Sequence, residues 1–134
     1  MKRGCLSLLL LALLLAGCAN LGQIRQSDPV ATLDSQKSPK ELANAIAYES
    51  QKDLDSFMRN WDPAVVTEDS GVYKILVTGP YAYGAGKVPR AEITITAKPG
   101  GGSHLEYRTP YSLRTFFGGH FWSLIQHCAT PPGG

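Results

Sequence analysis

A two-residue alternation of apolar and polar side chains is the clearest pattern in the chain, and it lies in the second half. From Ala91 to Ala97 every second residue is apolar, and Leu105 and Tyr107 show the same alternation further on. The polar positions of the second segment are His104, Glu106 and Arg108. Because successive side chains of a strand point to opposite faces, both segments are predicted to be strands with one buried face.

Lys98-Pro99-Gly100-Gly101-Gly102 separates these two segments and is typical of a hairpin loop. A loop centred on Gly100 places residues opposite each other when their numbers sum to 200. The predicted pairs are Ile95 with Leu105 and Ile93 with Tyr107 on the buried face, and Glu92 with Arg108 on the polar face. A slip of one residue would place Ile95 opposite Glu106, so the pattern favours this register.

Two more strands are predicted upstream of this hairpin. In the segment Val72–Thr78, Tyr73, Ile75 and Val77 share one face. Before it, Val65-Val66 is followed by Glu68-Asp69-Ser70-Gly71, which predicts a short strand and a turn.

A helix is predicted to begin at Ser38-Pro39-Lys40-Glu41, where Ser38 is the N-cap and Pro39 the first helical residue. The apolar residues that follow at helical spacing are Leu42, Ile46, Leu54, Phe57 and Trp61. The helix is expected to end near Asn60, before Asp62-Pro63. Trp61 is interpreted as a core residue rather than a ligand platform, because it closes this apolar stripe.

A second helix is predicted from about Ser112 to Cys128. Its apolar stripe consists of Leu113, Phe117, Phe121, Leu124 and Cys128. Gly118-Gly119 interrupts it, so either the glycines allow close packing against a neighbour or the helix begins only after them. A disordered tail, 130–134, is expected to follow.

These elements predict an α+β domain over residues 38–129. It consists of an N-terminal helix, a three- to four-stranded antiparallel sheet and a C-terminal helix, with both helices on one face of the sheet. Residues 18–37 are polar, show no apolar periodicity and contain Asp28-Pro29, so they are predicted to be a flexible tether.

The start of the chain has the three parts of a secretory signal: the charged pair Lys2-Arg3, an apolar run from Leu6 to Leu15, and small residues after it. The run is shorter than the roughly 20 residues that span a bilayer as a helix. Its end, Leu15-Ala16-Gly17-Cys18, resembles a bacterial lipobox. The alternatives are an ordinary secretory signal or an uncleaved apolar anchor.

The lipobox resemblance implies that residues 1–17 are a lipoprotein signal peptide and that Cys18 carries acyl chains, which anchor the protein to a membrane. Lipoproteins kept in the inner membrane commonly have Asp after this cysteine, and here the residue is Ala19. The resemblance therefore implies the periplasmic face of the outer membrane, with the inner membrane or the cell surface as alternatives.

Cleavage before Cys18 would leave 117 of the 134 residues, enough for one small domain. Lys2 and Arg3 are two of the 13 basic residues, so 11 basic residues would remain against 11 acidic ones. Residues 18–69 contain nine acids and five bases, and residues 70–134 contain two acids and six bases. This asymmetry indicates attraction between the halves or a basic surface for an anionic envelope component. No motif indicates nucleic-acid binding.

Cys128 would be the remaining free thiol, because Cys5 leaves with the signal and Cys18 is lipidated. We expect it to be buried, as free cysteines usually are. With His120, His127 or His104 it could hold a metal or form a thiol-dependent site, but the C-terminal end of a helix disfavours a thiolate. The sequence therefore predicts no metal site, no cofactor and no catalytic residue.

The loop 79–90 contains Tyr81 and Tyr83 and is predicted to be a contact surface. Its Gly-Ala-Gly-Lys segment does not fit a phosphate-binding loop, because Tyr81 stands where a glycine is needed and Val88 where Ser or Thr is needed.

The helix opening Ser38–Ala43 and the closing stretch Trp122–Cys128 resemble those of small proteobacterial envelope lipoproteins of unknown function. The resemblance implies a cysteine in the first helix that pairs with the last one, but this chain has Ala45 there. Two hypotheses follow. The first is a non-catalytic binding or accessory protein that contacts an envelope protein or a cell-wall component through Tyr81 and Tyr83 or through His104, Glu106 and Arg108. The alternative is a small cell-wall or thiol-dependent enzyme that uses Cys128 with a histidine.

Overall fold

The computed structural model describes residues 21–53, 62–80 and 87–131 of the chain. In chain order they form helix α1 (Leu21–Gln26), strand β1 (Ala31–Ser35), helix α2 (Pro39–Asp53), strands β2 (Asp62–Asp69), β3 (Val72–Pro80), β4 (Lys87–Ala97) and β5 (Ser103–Arg108), and helix α3 (Phe116–Ala129). Among these residues the five strands form one antiparallel sheet in the order β1-β5-β4-β3-β2. The predicted α+β fold is confirmed.

The hairpin of β4 and β5 has the predicted register. Its pairs include Ile95 with Leu105, Ile93 with Tyr107, and Glu92 with Arg108. In the loop, Gly101 N donates to Lys98 O and Lys98 N donates to Gly102 O, both at 3.1 Å. The buried face of the hairpin fixes this register, because a one-residue slip would turn its isoleucines outward.

The turn between β2 and β3 also lies where it was predicted. Ser70 and Gly71 both have positive φ angles, 54° and 82°, and they join strands that pair from Asp69 and Val72 onward. β3 continues to Pro80 and β4 begins at Lys87, so both strands are longer than their sequence patterns indicate.

Helix α2 begins as predicted. Ser38 Oγ accepts a hydrogen bond from Glu41 N at 3.3 Å, and Ser38 O accepts one from Leu42 N at 2.9 Å. Leu42 and Ile46 are fully buried. The predicted continuation of this helix, with Leu54, Phe57 and Trp61, lies outside the described residues.

Helix α3 begins at Phe116 rather than Ser112, because Thr115 is its N-cap and accepts a hydrogen bond from Gly118 N at 3.2 Å. A Cβ atom on Gly118 would lie 2.5 Å from Ser112 O, and one on Gly119 would lie 2.5 Å from Leu113 O. The glycines therefore allow close packing of the preceding turn. The helix ends at Ala129, and Thr130, which was predicted to belong to the tail, is its C-cap and donates its N–H to His127 O at 3.3 Å.

Both long helices pack on the apolar face of the sheet, as predicted. The core consists of Leu42, Ala43 and Ile46 from α2, Phe121, Ile125, Cys128 and Ala129 from α3, and Ile75, Val77, Ala91, Ile93, Ile95, Leu105 and Tyr107 from the strands. The Tyr107 ring stacks on Trp122 at a centroid distance of 5.8 Å. Ile125 was missed as a core residue by the sequence analysis.

The prediction of a flexible tether is wrong for residues 21–37. This segment contains α1 and the edge strand β1, which pairs with β5. β1 is the fifth strand of the sheet, for which three to four strands were predicted. α1 lies on the polar face, because its Arg25 binds Glu92, whose strand neighbours Ala91 and Ile93 point into the core. A short helix thus covers part of the face predicted to be open to solvent.

Candidate binding surface

The polar face of the sheet brings together three residues that were predicted to form a binding surface. His104, Glu106 and Arg108 alternate along β5 with buried residues, so their side chains share one face. Their participation in binding stays a prediction. Cys18, Tyr81 and Tyr83, the other predicted site residues, lie outside the described residues.

Basic, acidic and imidazole side chains form a continuous row along this face, which we call the polar row: Arg108, Glu106, His104, Asp34 and Lys98. Arg108 Nη1 lies 2.7 Å from Glu106 Oε2, and Glu106 Oε1 lies 3.9 Å from His104 Nε2. Asp34 Oδ1 lies 2.8 Å from His104 Nδ1, and Lys98 Nζ donates to Asp34 Oδ2 at 3.2 Å. The row thus extends across β1, β5 and the β4–β5 loop.

Asp34 is the central acid of this row, and no sequence pattern indicated it. The hydrogen bond with His104 is the main cause that lowers the pKa of the Asp34 carboxyl, and the hydrogen bond from Lys98 adds to it. The side chains of Asp34, His104 and Glu106 are 55%, 41% and 34% exposed. The Asp34 carboxyl is therefore ionised at neutral pH, and the middle of the polar row is accessible to a partner.

The Arg108 end of the polar row is covered by α1. Arg108 Nε donates to the backbone oxygen of Ser27 at 3.0 Å. Next to it, Arg25 Nε and Nη2 donate to both oxygens of Glu92 at 2.9–3.0 Å. Glu92 was expected to be solvent-facing opposite Arg108, but its side chain is only 3% exposed because Arg25 and α1 cover it. Glu92 therefore stabilises the fold and is not part of the accessible row.

An open groove of about 410 Å³ lies beside the Lys98 end of the polar row. It is lined by Asp34, Ser35, Gln36, Lys98 and the glycines 100–102. Two sides of Asp34 therefore face space that a partner could occupy: the polar face and this groove.

Cys128, the candidate nucleophile of the enzyme hypothesis, is a free and buried cysteine, as expected. Burial raises the pKa of its thiol to about 11, and the nearby Glu49 carboxylate contributes in the same direction. The backbone oxygen of Cys128 accepts a hydrogen bond from Lys37 Nζ at 2.6 Å. This environment suits a structural thiol rather than a nucleophile.

We expect Cys128 to react slowly with thiol reagents in the folded protein. A pKa of about 11 instead of 9.0 leaves about one hundredth as much thiolate at pH 8. Alkylation of Cys128 in native buffer should therefore be at least about 100-fold slower than in urea. Mass spectrometry of the peptide that contains Cys128 measures both rates. A Gln51→Cys variant supplies an exposed thiol on α2 as the fast control. Equal rates for Cys128 in native buffer and in urea would contradict its burial and revive the thiol-dependent hypothesis.

The described residues contain no group of three His, Cys, Asp or Glu side chains placed to share a metal ion. Within the same ranges, no helix has the length and apolar character needed to cross a membrane.

The polar row and its groove thus form an accessible cluster of charged side chains within the described residues. Cys128 lies on the other side of the sheet, in the core. Comparison of the chain with models of known protein families, with curated proteins and with solved structures finds no match.

Proposed function

We propose that this chain is a lipid-anchored envelope protein that binds another envelope protein through the polar row and has no catalytic activity of its own. In this proposal Cys18 carries the lipid and the protein lies on the periplasmic face of the outer membrane. The observation that carries the binding function is the row itself, in which acidic and basic side chains of β1, β5 and the β4–β5 loop lie next to each other and are partly exposed.

A row that contains charges of both signs is suited to specific recognition. A partner with the opposite sequence of charges would meet each side chain with a favourable one, whereas a shifted or wrong partner would place like charges together. The mutual bonds within the row hold the side chains in position before binding, which reduces the conformational entropy lost on association.

The buried thiol supports binding over thiol-dependent catalysis. Nucleophilic cysteines are accessible and have a lowered pKa, whereas the pKa of Cys128 is raised. For the anchor, the support is the order of charged tip, leucine run, small residues and cysteine at the start of the chain.

In-cell cross-linking followed by mass spectrometry tests both parts of the proposal. We expect one reproducible protein partner for the wild-type chain. Glu106→Gln should reduce its recovery about tenfold, the effect of losing about 1.4 kcal/mol of binding free energy with one charge. Glu41→Gln is the matched control, because Glu41 is an exposed acid on α2, on the opposite side of the sheet.

Cys18→Ser should release the protein from the membrane fraction, and the partner should no longer be recovered by cross-linking. Equal recovery with Glu106→Gln and Glu41→Gln would contradict the polar row as the binding surface. Unchanged membrane fractionation of Cys18→Ser would contradict the lipid anchor.

A further inference from the structure

Residues 21–35, here called the N-terminal arm, are firmly bound to the rest of the domain. At the start of the arm, Ile24 is only 3% exposed and Arg25 forms its bidentate bond with Glu92. At its end, β1 pairs with β5 from Ala31 to Ser35. The arm is therefore part of the fold along its whole length and not a spacer.

The end of the arm is also bonded to the C-terminal end of α3. Ser35 Oγ donates to Ala129 O at 2.8 Å, and Ser103 Oγ donates to Lys37 O at 2.6 Å. Lys37 Nζ donates to Cys128 O at 2.6 Å. Because these bonds reach α3 and β5, the arm cannot lift from the sheet without breaking contacts on two sides of the domain.

The length of chain before the arm limits how far the domain can lie from an anchor at Cys18. Cys18 precedes Leu21 by three residues, and a chain extends at most about 3.6 Å per residue, or about 11 Å here. A flexible tether of about 20 residues would instead have a root-mean-square length of about 25 Å. The folded arm therefore removes most of the reach that the sequence pattern predicts.

We propose that the N-terminal arm holds the domain directly against the membrane, with the polar face of the sheet turned toward the phospholipid headgroups. This proposal rests on the proposed lipidation of Cys18. Because α1 lies on the polar face and begins within about 11 Å of the anchor, that face is the one held at the bilayer. The partner of the polar row is then a component of the same membrane, and a partner across the periplasm would not reach the row.

The charges of the polar face fit this position. Arg25 and Lys98 are 48% and 40% exposed, and Asp34 and Glu106 lie between them at 55% and 34%. Phospholipid headgroups present phosphates, and in zwitterionic lipids also ammonium groups, so a face with both signs meets complementary charges at the headgroup layer.

Quenching of a probe by headgroup-labelled lipids tests the orientation. The lipidated protein, purified from membranes, is reconstituted into vesicles of zwitterionic phospholipid that contain a short-range quencher on the headgroup. One variant carries the fluorophore at Thr32→Cys, an exposed position on the polar face, and the matched variant carries it at Gln51→Cys on α2. A domain of this size has a radius of gyration of about 13 Å, so the two faces differ in height by about 25 Å.

We expect the probe at position 32 to lose most of its emission and the probe at position 51 to lose little. Gln26→Cys, on α1, is a second polar-face position in case the probe at 32 disturbs β1. A variant with 20 Gly and Ser residues inserted between Asn20 and Leu21 should lose the quenching at both faces.

Equal quenching at positions 32 and 51 in protein whose mass includes the lipid would overturn the proposed orientation. Strong quenching at position 32 that persists in the variant with the insertion would contradict the proposed role of the arm, because the affinity of the polar face for the headgroups would then orient the domain by itself. A mass without lipid on Cys18 would instead contradict the proposed function, so the two failures are distinguishable.

Discussion

Replacing Gly102 by alanine is expected to lower the free energy of unfolding by about 2–5 kcal/mol, as the sum of a backbone and a steric effect. Gly102 has a φ of 81°, which an L-residue adopts at a cost of about 1–2 kcal/mol. The new Cβ would also lie 2.4 Å from the backbone oxygen of Ser35. Because the Cβ is fixed to the backbone of residue 102 and the oxygen belongs to the backbone of Ser35, β1 must move away from β5 to relieve the overlap. Urea unfolding measures the effect.

Gly100→Ala is the matched control for this substitution. Gly100 lies in the same loop with a φ of 88°, but a Cβ there would meet nothing within 4 Å. It should therefore show the backbone cost alone, about 1–2 kcal/mol. If the two variants unfold at the same urea concentration, the close approach of the loop to Ser35 does not exist in solution.

The β4–β5 hairpin could be predicted to the residue because two independent signals agree in it. Alternation between Ala91 and Ala97 defines the buried face, and the glycines of the loop define the centre of the turn. Burial of one face then excludes a slipped register. Ile93 opposite Tyr107 is the result in the structure.

The N-terminal arm could not be predicted in this way, because its stability is almost entirely tertiary. α1 has six residues, too few for a helix that forms alone in water, and β1 is a five-residue edge strand. One weak signal was present: Ala31 and Leu33 pack on the core side, whereas Thr32 and Asp34 lie between them. Asp28-Pro29 and the polar composition around it favoured a tether instead.

The candidate site was likewise predictable from the sequence only in part. The alternation along β5 was sufficient to place His104, Glu106 and Arg108 on one face. Their partners were not predictable, since Asp34 binds His104 across 70 residues of sequence and Lys98 binds Asp34 across 64. Only the position of β1 brings these charges together, and the misassigned arm therefore also concealed Asp34 and its contacts with His104 and Lys98.

Arg25→Ala is expected to lower the free energy of unfolding by about 2–3 kcal/mol, below the 3–5 kcal/mol typical of fully buried pairs because Arg25 is 48% exposed. The loss arises mainly from Glu92, whose side chain is 3% exposed and would lose the guanidinium that pairs with it. Thermal or urea unfolding measures the change. The double variant Arg25→Ala/Glu92→Gln should recover part of it, because a buried amide costs less than an unpaired carboxylate.

Lys52→Ala is the comparison for an ion pair that should matter little. Lys52 Nζ lies 3.6 Å from Glu49 Oε1, and both side chains are well exposed, so solvent screens their attraction. If Arg25→Ala proves as mild as Lys52→Ala, the bond to Glu92 does not hold α1 on the sheet. α1 could then leave the polar face, whereas the pairing of β1 with β5 and the bond from Ser35 Oγ to Ala129 O would still hold the end of the arm on the domain. The stability of this one bond thus decides whether α1 stays on the polar face of the sheet.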